Sequence, residues 1–124
     1  MESAGDFIQR KQQEPLRVWR AKDIGRQGYT KRVTEARTFM VQSNLPEKVY
    51  MFERTRQEGL TGNVTHPRKG SIEYRIGYFI VGKNGNAQGR WTWGQYCPLI
   101  PAEDFWKLIA LARKEGTKLA DVSS

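Results

Sequence analysis

The 124-residue chain predicts an α+β fold: an antiparallel sheet of about four strands, one amphipathic helix packed on one face, and a basic N-terminal arm. Three observations carry this reading. Residues 72–81 alternate strictly between two side-chain sets, the period-two signature of a strand. Gly82-Lys83-Asn84-Gly85-Asn86 supplies the positive-φ residues of a hairpin turn. Residues 101–116 then carry the start and stop signals of a helix with an apolar stripe.

The elements follow in chain order. Residues 1–32 are polar, basic and weakly patterned, and Pro15 breaks any helix that reaches it. They read as a partly ordered arm, with Gly25, Gln27, Gly28 and Tyr29 in a loop. Residues 33–42 are the first strand, and Ser43-Asn44-Leu45-Pro46 is a turn signal. From Val49 to Arg56 the side chains alternate again, with Val49 and Met51 on one face and Tyr50, Phe52, Arg54 and Arg56 on the other. Residues 57–70 hold three glycines, a proline and little apolar content, and read as a long basic loop.

In the third strand Ile72, Tyr74, Ile76, Tyr78 and Ile80 share the face expected to be core. Glu73, Arg75, Gly77, Phe79 and Val81 share a mixed face. The fourth strand is expected over residues 90–97, with Trp91, Trp93, Gln95 and Cys97 on one face. In the helix, Pro101 suits the first position. Glu103 and Asp104 suit the positive end of the helix dipole, and Arg113 and Lys114 the negative end. Gly116 fits the position just past the last turn. Phe105, Leu108, Ile109 and Ala112 form the stripe expected to pack on the sheet, with Trp106 at its edge. The domain reading is therefore an arm at 1–32, one α+β domain at 33–116 and a frayed tail at 117–124.

Net charge is +8, and it is uneven: residues 1–70 carry 14 bases against 8 acids, residues 71–124 carry 7 against 5. A surface of this kind favours polyanions through counterion release. One cysteine, Cys97, and one histidine, His66, exclude an internal disulfide and argue against a Cys/His zinc site. No cofactor or metal motif is read. No apolar run approaches the roughly 20 residues of a membrane span. The start Met-Glu-Ser-Ala-Gly-Asp-Phe-Ile lacks the features of a signal peptide, so the expected compartment is the cytoplasm.

The leading candidate site is a nucleic-acid surface built from Arg54, Arg56, Arg68, Lys69, Arg75, Lys83, Arg90, Trp91 and Trp93. Trp91 and Trp93 on a sheet face beside arginines could stack unpaired bases while the bases of the chain hold phosphates. The competing reading makes both tryptophans core, covered by the helix or by the N-terminal arm. Lys83 in its glycine turn is not a P-loop lysine, because no Gly-x-x-x-x-Gly-Lys-Ser/Thr pattern precedes a helix. The expected function is non-catalytic binding of single-stranded DNA or RNA, DNA first. A protein-interaction module using the same aromatic face is the alternative. A metal-dependent nuclease using Glu53 and Glu73 on neighbouring strands is the third reading, and the absence of a third acid leans the chain away from catalysis.

The run from Glu73 to Arg113, with two glycine-linked strands and then Pro-Leu-Ile-Pro-Ala-Glu-Asp-Phe-Trp-Lys-Leu-Ile, resembles the core of the single-stranded-DNA-binding transcriptional coactivator family. That resemblance implies a curved antiparallel sheet, a C-terminal helix opening with an acidic residue before an aromatic, and single-strand binding across the sheet. It implies a homodimer formed through the helix. Arg75, Lys83, Arg90 and Trp91 match the family's sheet and hairpin positions. The family's lysine-glycine step before the helix is here Gln95-Tyr96-Cys97-Pro98.

Overall fold

The structure, a computed structural model, describes residues 1–22, 29–60 and 70–120. Its order is α1 (Ala4–Gln13), β1 (Val18–Lys22), β2 (Tyr29–Gln42), β3 (Leu45–Leu60), β4 (Ile72–Val81), β5 (Trp91–Trp93) and α2 (Ala102–Lys114). The five strands form one antiparallel sheet in sequence order. The α+β class holds, with five strands rather than about four and a helix on each face rather than on one.

The stretch read as an arm supplies α1, β1 and the start of β2. Ser3 caps α1 by accepting a hydrogen bond from the Asp6 amide at 3.1 Å, and Pro15 falls just past the helix end. Phe7 is almost wholly buried. It plugs α1 onto Phe39, Val49 and Met51, the outer wall being Phe79 and Trp91. The polar composition of the helix hid this single anchor.

The other face of the sheet is covered by α2. Leu108 and Ala112 pack on Tyr50 and Phe52, flanked by Met40, Ile76 and Tyr78. The expected stripe is corrected at its first member: Asp104 is buried and Phe105 is exposed. The Asp104 carboxylate accepts from the Ser43 amide at 2.9 Å, so a hydrogen bond ties the helix start to the β2–β3 turn. Burial of an acid is tolerable because it is bonded. Pro101 is the N-cap rather than the first helical residue, and Gly116 takes φ +80° just past the helix.

Four further expectations are corrected. On β4 the face expected to be core is open at its start, where Ile72 and Tyr74 are exposed, while the other face is mixed as expected, with Glu73 exposed, Phe79 packed on the Phe7 cluster and Val81 buried. The strand expected over 90–97 stops at Trp93, where the chain bends away after the Gly94 amide bonds the Tyr78 carbonyl at 2.8 Å. The strand read as 49–56 is far longer, so residues 57–60 are sheet and not loop. In the tail, Thr117 is buried and bonded to Thr38 at 2.7 Å, so this part is not frayed. The loop residues Gly25, Gln27 and Gly28, and His66, lie outside the described residues.

Candidate functional site

A cleft of about 280 Å³ opens on the α1 side of the sheet, between the end of α1 and the exposed end of β5. Its apolar wall is Phe39, Met51, Phe79 and Trp93, its polar floor Thr34, Glu53 and Arg75, and its rim Lys11, Glu14, Arg17 and Arg37. Period-two alternation brings these groups together. Arg37 and Phe39 on β2, Met51 and Glu53 on β3, Arg75 and Phe79 on β4, and Trp93 on β5 all point to one face.

The floor is a chain of hydrogen bonds. The Trp19 indole N–H donates to Thr34 Oγ1 at 3.0 Å, and Thr34 Oγ1 donates to Glu53 Oε2 at 2.8 Å. Arg75 Nε donates to Glu53 Oε1 at 2.7 Å. Glu53 is buried, so it needs both partners; charge-assisted bonds of this type contribute about 1.5–3 kcal/mol each. The same bond fixes the Arg75 guanidinium, whose central carbon lies 4.1 Å from the Trp19 ring and 5.3 Å from the Trp93 ring. Arg75 thus sits between two tryptophans as a fixed plane. Trp93 is 42 % exposed and meets Phe79 edge-on at 4.9 Å. Its ring fits there because Gly77 has no side chain: a Cβ at that position would stand 2.1 Å from the far edge of the indole.

The rim carries the surplus charge. There three bases, Lys11, Arg17 and Arg37, face one acid, Glu14, while on the floor Arg75 is matched by Glu53. Lys11 pairs with Glu14 at 3.2 Å, and Arg37 donates to the Glu14 backbone carbonyl at 2.7 Å, a bond that leaves its charge unneutralised. The Arg17 side chain is exposed and has no ion-pair partner among the described residues.

The sequence-predicted site residues do not form one surface. Trp93 and Arg75 meet in the cleft. Trp91 does not: its ring stacks on Phe7 at 4.7 Å and its indole N–H donates to the Glu2 carbonyl at 2.9 Å. Arg54 and Arg56 lie on the opposite face, both bound to Glu35 at 3.1 and 2.8 Å. Arg54 also donates to the Gly116 carbonyl at 2.9 Å. The Arg56 hydrogen bond, helped by Arg54, holds the Glu35 carboxyl below its ordinary range. Lys83 pairs with Glu47 at the hairpin end of the sheet. Arg90 is exposed at the start of β5. Arg68 and Lys69 lie outside the described residues.

Lys11, Arg17 and Arg37 stand out in the sequence only as members of its basic first half, and Trp19 carries no site signal there. Arg17-Val18-Trp19-Arg20 shows no polar–apolar alternation, so the edge strand that carries Trp19 had no periodic signal. The two strand acids Glu53 and Glu73 do share a face, but each is bound to an arginine, Arg75 and Arg32 respectively. Among the described residues no cluster of three His, Cys, Asp or Glu side chains could hold a metal ion. No helix among them is long and apolar enough to cross a membrane. Comparison with protein-family models, curated proteins and solved structures finds no match to this chain.

Proposed function

We propose that this protein binds single-stranded nucleic acid without catalysis, DNA first, and seats one unpaired base in the arginine–tryptophan cleft. The supporting observation is the half-exposed Trp93 ring, standing beside a rim with more bases than acids. A base stacks on the open face of Trp93, near Phe79. Phosphates lie along Arg17, Arg37 and Lys11. The cleft volume is just under the usual ligand-pocket range of roughly 300–1,000 Å³, which suits a single nucleotide and not a duplex. Stacking on an aromatic side chain contributes about 1–3 kcal/mol per base.

Titrating a short single-stranded DNA oligonucleotide at low salt should quench the tryptophan emission. Affinity should fall with log salt at a slope near −2, about −0.7 for each of three phosphates. Trp93→Ala and Arg17→Glu should weaken binding, whereas Arg56→Glu on the opposite face should not. The reading fails if no binding occurs at low salt. It fails equally if Arg56→Glu is the damaging change and Trp93→Ala is silent.

A protein-docking role is the second reading. It is favoured by Tyr96, Leu99 and Trp106, which are 79, 86 and 69 % exposed around the start of α2. Silence of the oligonucleotide titration would leave this reading standing.

A further inference from the structure

The outer edge of β4 is only half covered. β5 pairs with Phe79, Ile80 and Val81, and the Gly94 amide bonds the Tyr78 carbonyl before the chain leaves the sheet. In a regular antiparallel strand, backbone groups point alternately to the two neighbours. Gln57 and β3 take the Ser71 carbonyl, and β5 takes the backbone at Tyr78 and Gly82. Odd-numbered residues of β4 therefore bond inward to β3, and even-numbered ones point outward. The N–H and C=O groups of Ile72, Tyr74 and Ile76 thus face away from the sheet, and no strand among the described residues pairs with them. The side chains agree that this stretch is open: Ile72 is 37 % and Tyr74 42 % exposed. An uncovered edge with exposed apolar side chains is a template for another strand.

We infer that the occupant is the same edge of a second copy of this chain, joined about a two-fold axis at Tyr74. The sequence of the edge is its own complement. With Tyr74 opposite Tyr74 of the partner subunit, each copy's outward N–H groups at residues 72, 74 and 76 meet outward carbonyls of the other. Ile72 then faces Ile76 of the partner subunit, on the Tyr74 side of the sheet. On the cleft side, Glu73 faces Arg75 of the partner subunit, and the two-fold axis makes that pair twice. Both groups have capacity to spare. Glu73 uses one oxygen for Arg32 at 2.9 Å, with its side chain 49 % exposed. Arg75 uses Nε for Glu53, with its side chain 36 % exposed. A shift of the axis to Glu73 would set Glu73 against Glu73 of the partner subunit, so charge selects the register. The isologous contact closes on itself and leaves no free edge on β4. This inference does not depend on the nucleic-acid reading.

Sedimentation velocity over a concentration series tests it on the whole chain. The wild type should show a monomer–dimer equilibrium. Glu73→Arg should raise the dimer dissociation constant about tenfold or more, because two attractive pairs become repulsive; its thermal melt checks that the fold survives. Cross-linking tests the register without relying on that variant. In a Cys97→Ser background, Tyr74→Cys lies on the axis and should form a disulfide with its own copy under a mild oxidant. Ile72→Cys should not, because it faces residue 76. A chain that stays monomeric at every concentration overturns the inference. So does a dimer that forms disulfides at 72 in preference to 74, or one that is indifferent to a folded Glu73→Arg.

Discussion

Gly77→Ala separates the role of the Trp93 ring from the stability of the sheet. The backbone at Gly77 is ordinary strand, so alanine suits it and should add about 0.5–1 kcal/mol through lower backbone entropy. The new Cβ, however, would stand 2.1 Å from the indole of Trp93, and the ring has to swing off. Swinging it loses the edge-on contact with Phe79, about 0.5–1.5 kcal/mol, and the cation–π contact with Arg75, about 0.5–1 kcal/mol. The net change in stability is then about 0–2 kcal/mol, a melting-point drop of no more than about 8 °C in a domain of this size. Oligonucleotide affinity should fall by about 1–3 kcal/mol, because the stacking surface has moved. A thermal melt, tryptophan emission and an oligonucleotide titration on one preparation read all three. Unchanged emission and unchanged affinity together would refute the placement of the ring over Gly77 and its part in binding.

Trp91→Ala should act on stability first, by about 3–5 kcal/mol in a denaturant melt, because it removes the stack on Phe7 and the bond to the Glu2 carbonyl. Leu108→Ala should cost about 2–5 kcal/mol and Phe105→Ala well under 2, since only the first side chain is enclosed; equal losses in the two melts would show that the helix is seated differently. Tyr50 is enclosed beside Asp104, and burial followed by that negative charge pushes its phenol up to about 12. The folded state therefore holds the Tyr50 proton more tightly than the unfolded chain does. This contribution is whole below the ordinary phenol value near 10 and is lost as pH rises from about 10 to 12, at about 1.4 kcal/mol per pH unit. Melts of wild type and Tyr50→Phe over that range should converge as pH rises, and a constant gap would contradict the assignment.

The fold was legible where local chemistry and tertiary packing agree. Strand 72–81 and the helix over 102–114 follow from period and charge placement, and the structure keeps both, whereas the turn expected over 82–86 has only Gly85 at positive φ and runs on to Trp91. The misses share a cause. Phe7, one apolar anchor in a polar helix, has no periodic signal, yet burying it closes a whole face of the sheet. Asp104 and Phe105 exchange roles because a hydrogen bond to Ser43, 61 residues away in sequence, decides which is buried. The candidate site suffered most. Arg54 and Arg56 were grouped with Arg75 in one expected surface, yet strand pairing sets them on opposite faces, and which face stays open depends on where α1 docks. Trp91 and Trp93 differ by two residues and share a face, and one is clamped under Phe7 while the other stands at the cleft mouth. Only three-dimensional neighbours separate them.

The sheet's two coverings have a consequence for synthesis. Phe7, on the helix that closes one side, leaves the ribosome long before β3, so the Val49–Met51 surface can be capped as soon as it forms. The Tyr50–Phe52 surface has no such advantage. Its cap begins at Ala102, fifty residues beyond Phe52. At translation rates of about 5–20 residues per second, a nascent chain would display that aromatic underside for roughly 3–10 s. During this interval holding chaperones and neighbouring nascent chains meet an apolar surface that the finished molecule covers with α2. Slowing translation between residues 53 and 102 should accordingly lower soluble yield, and slowing it before residue 45 should not.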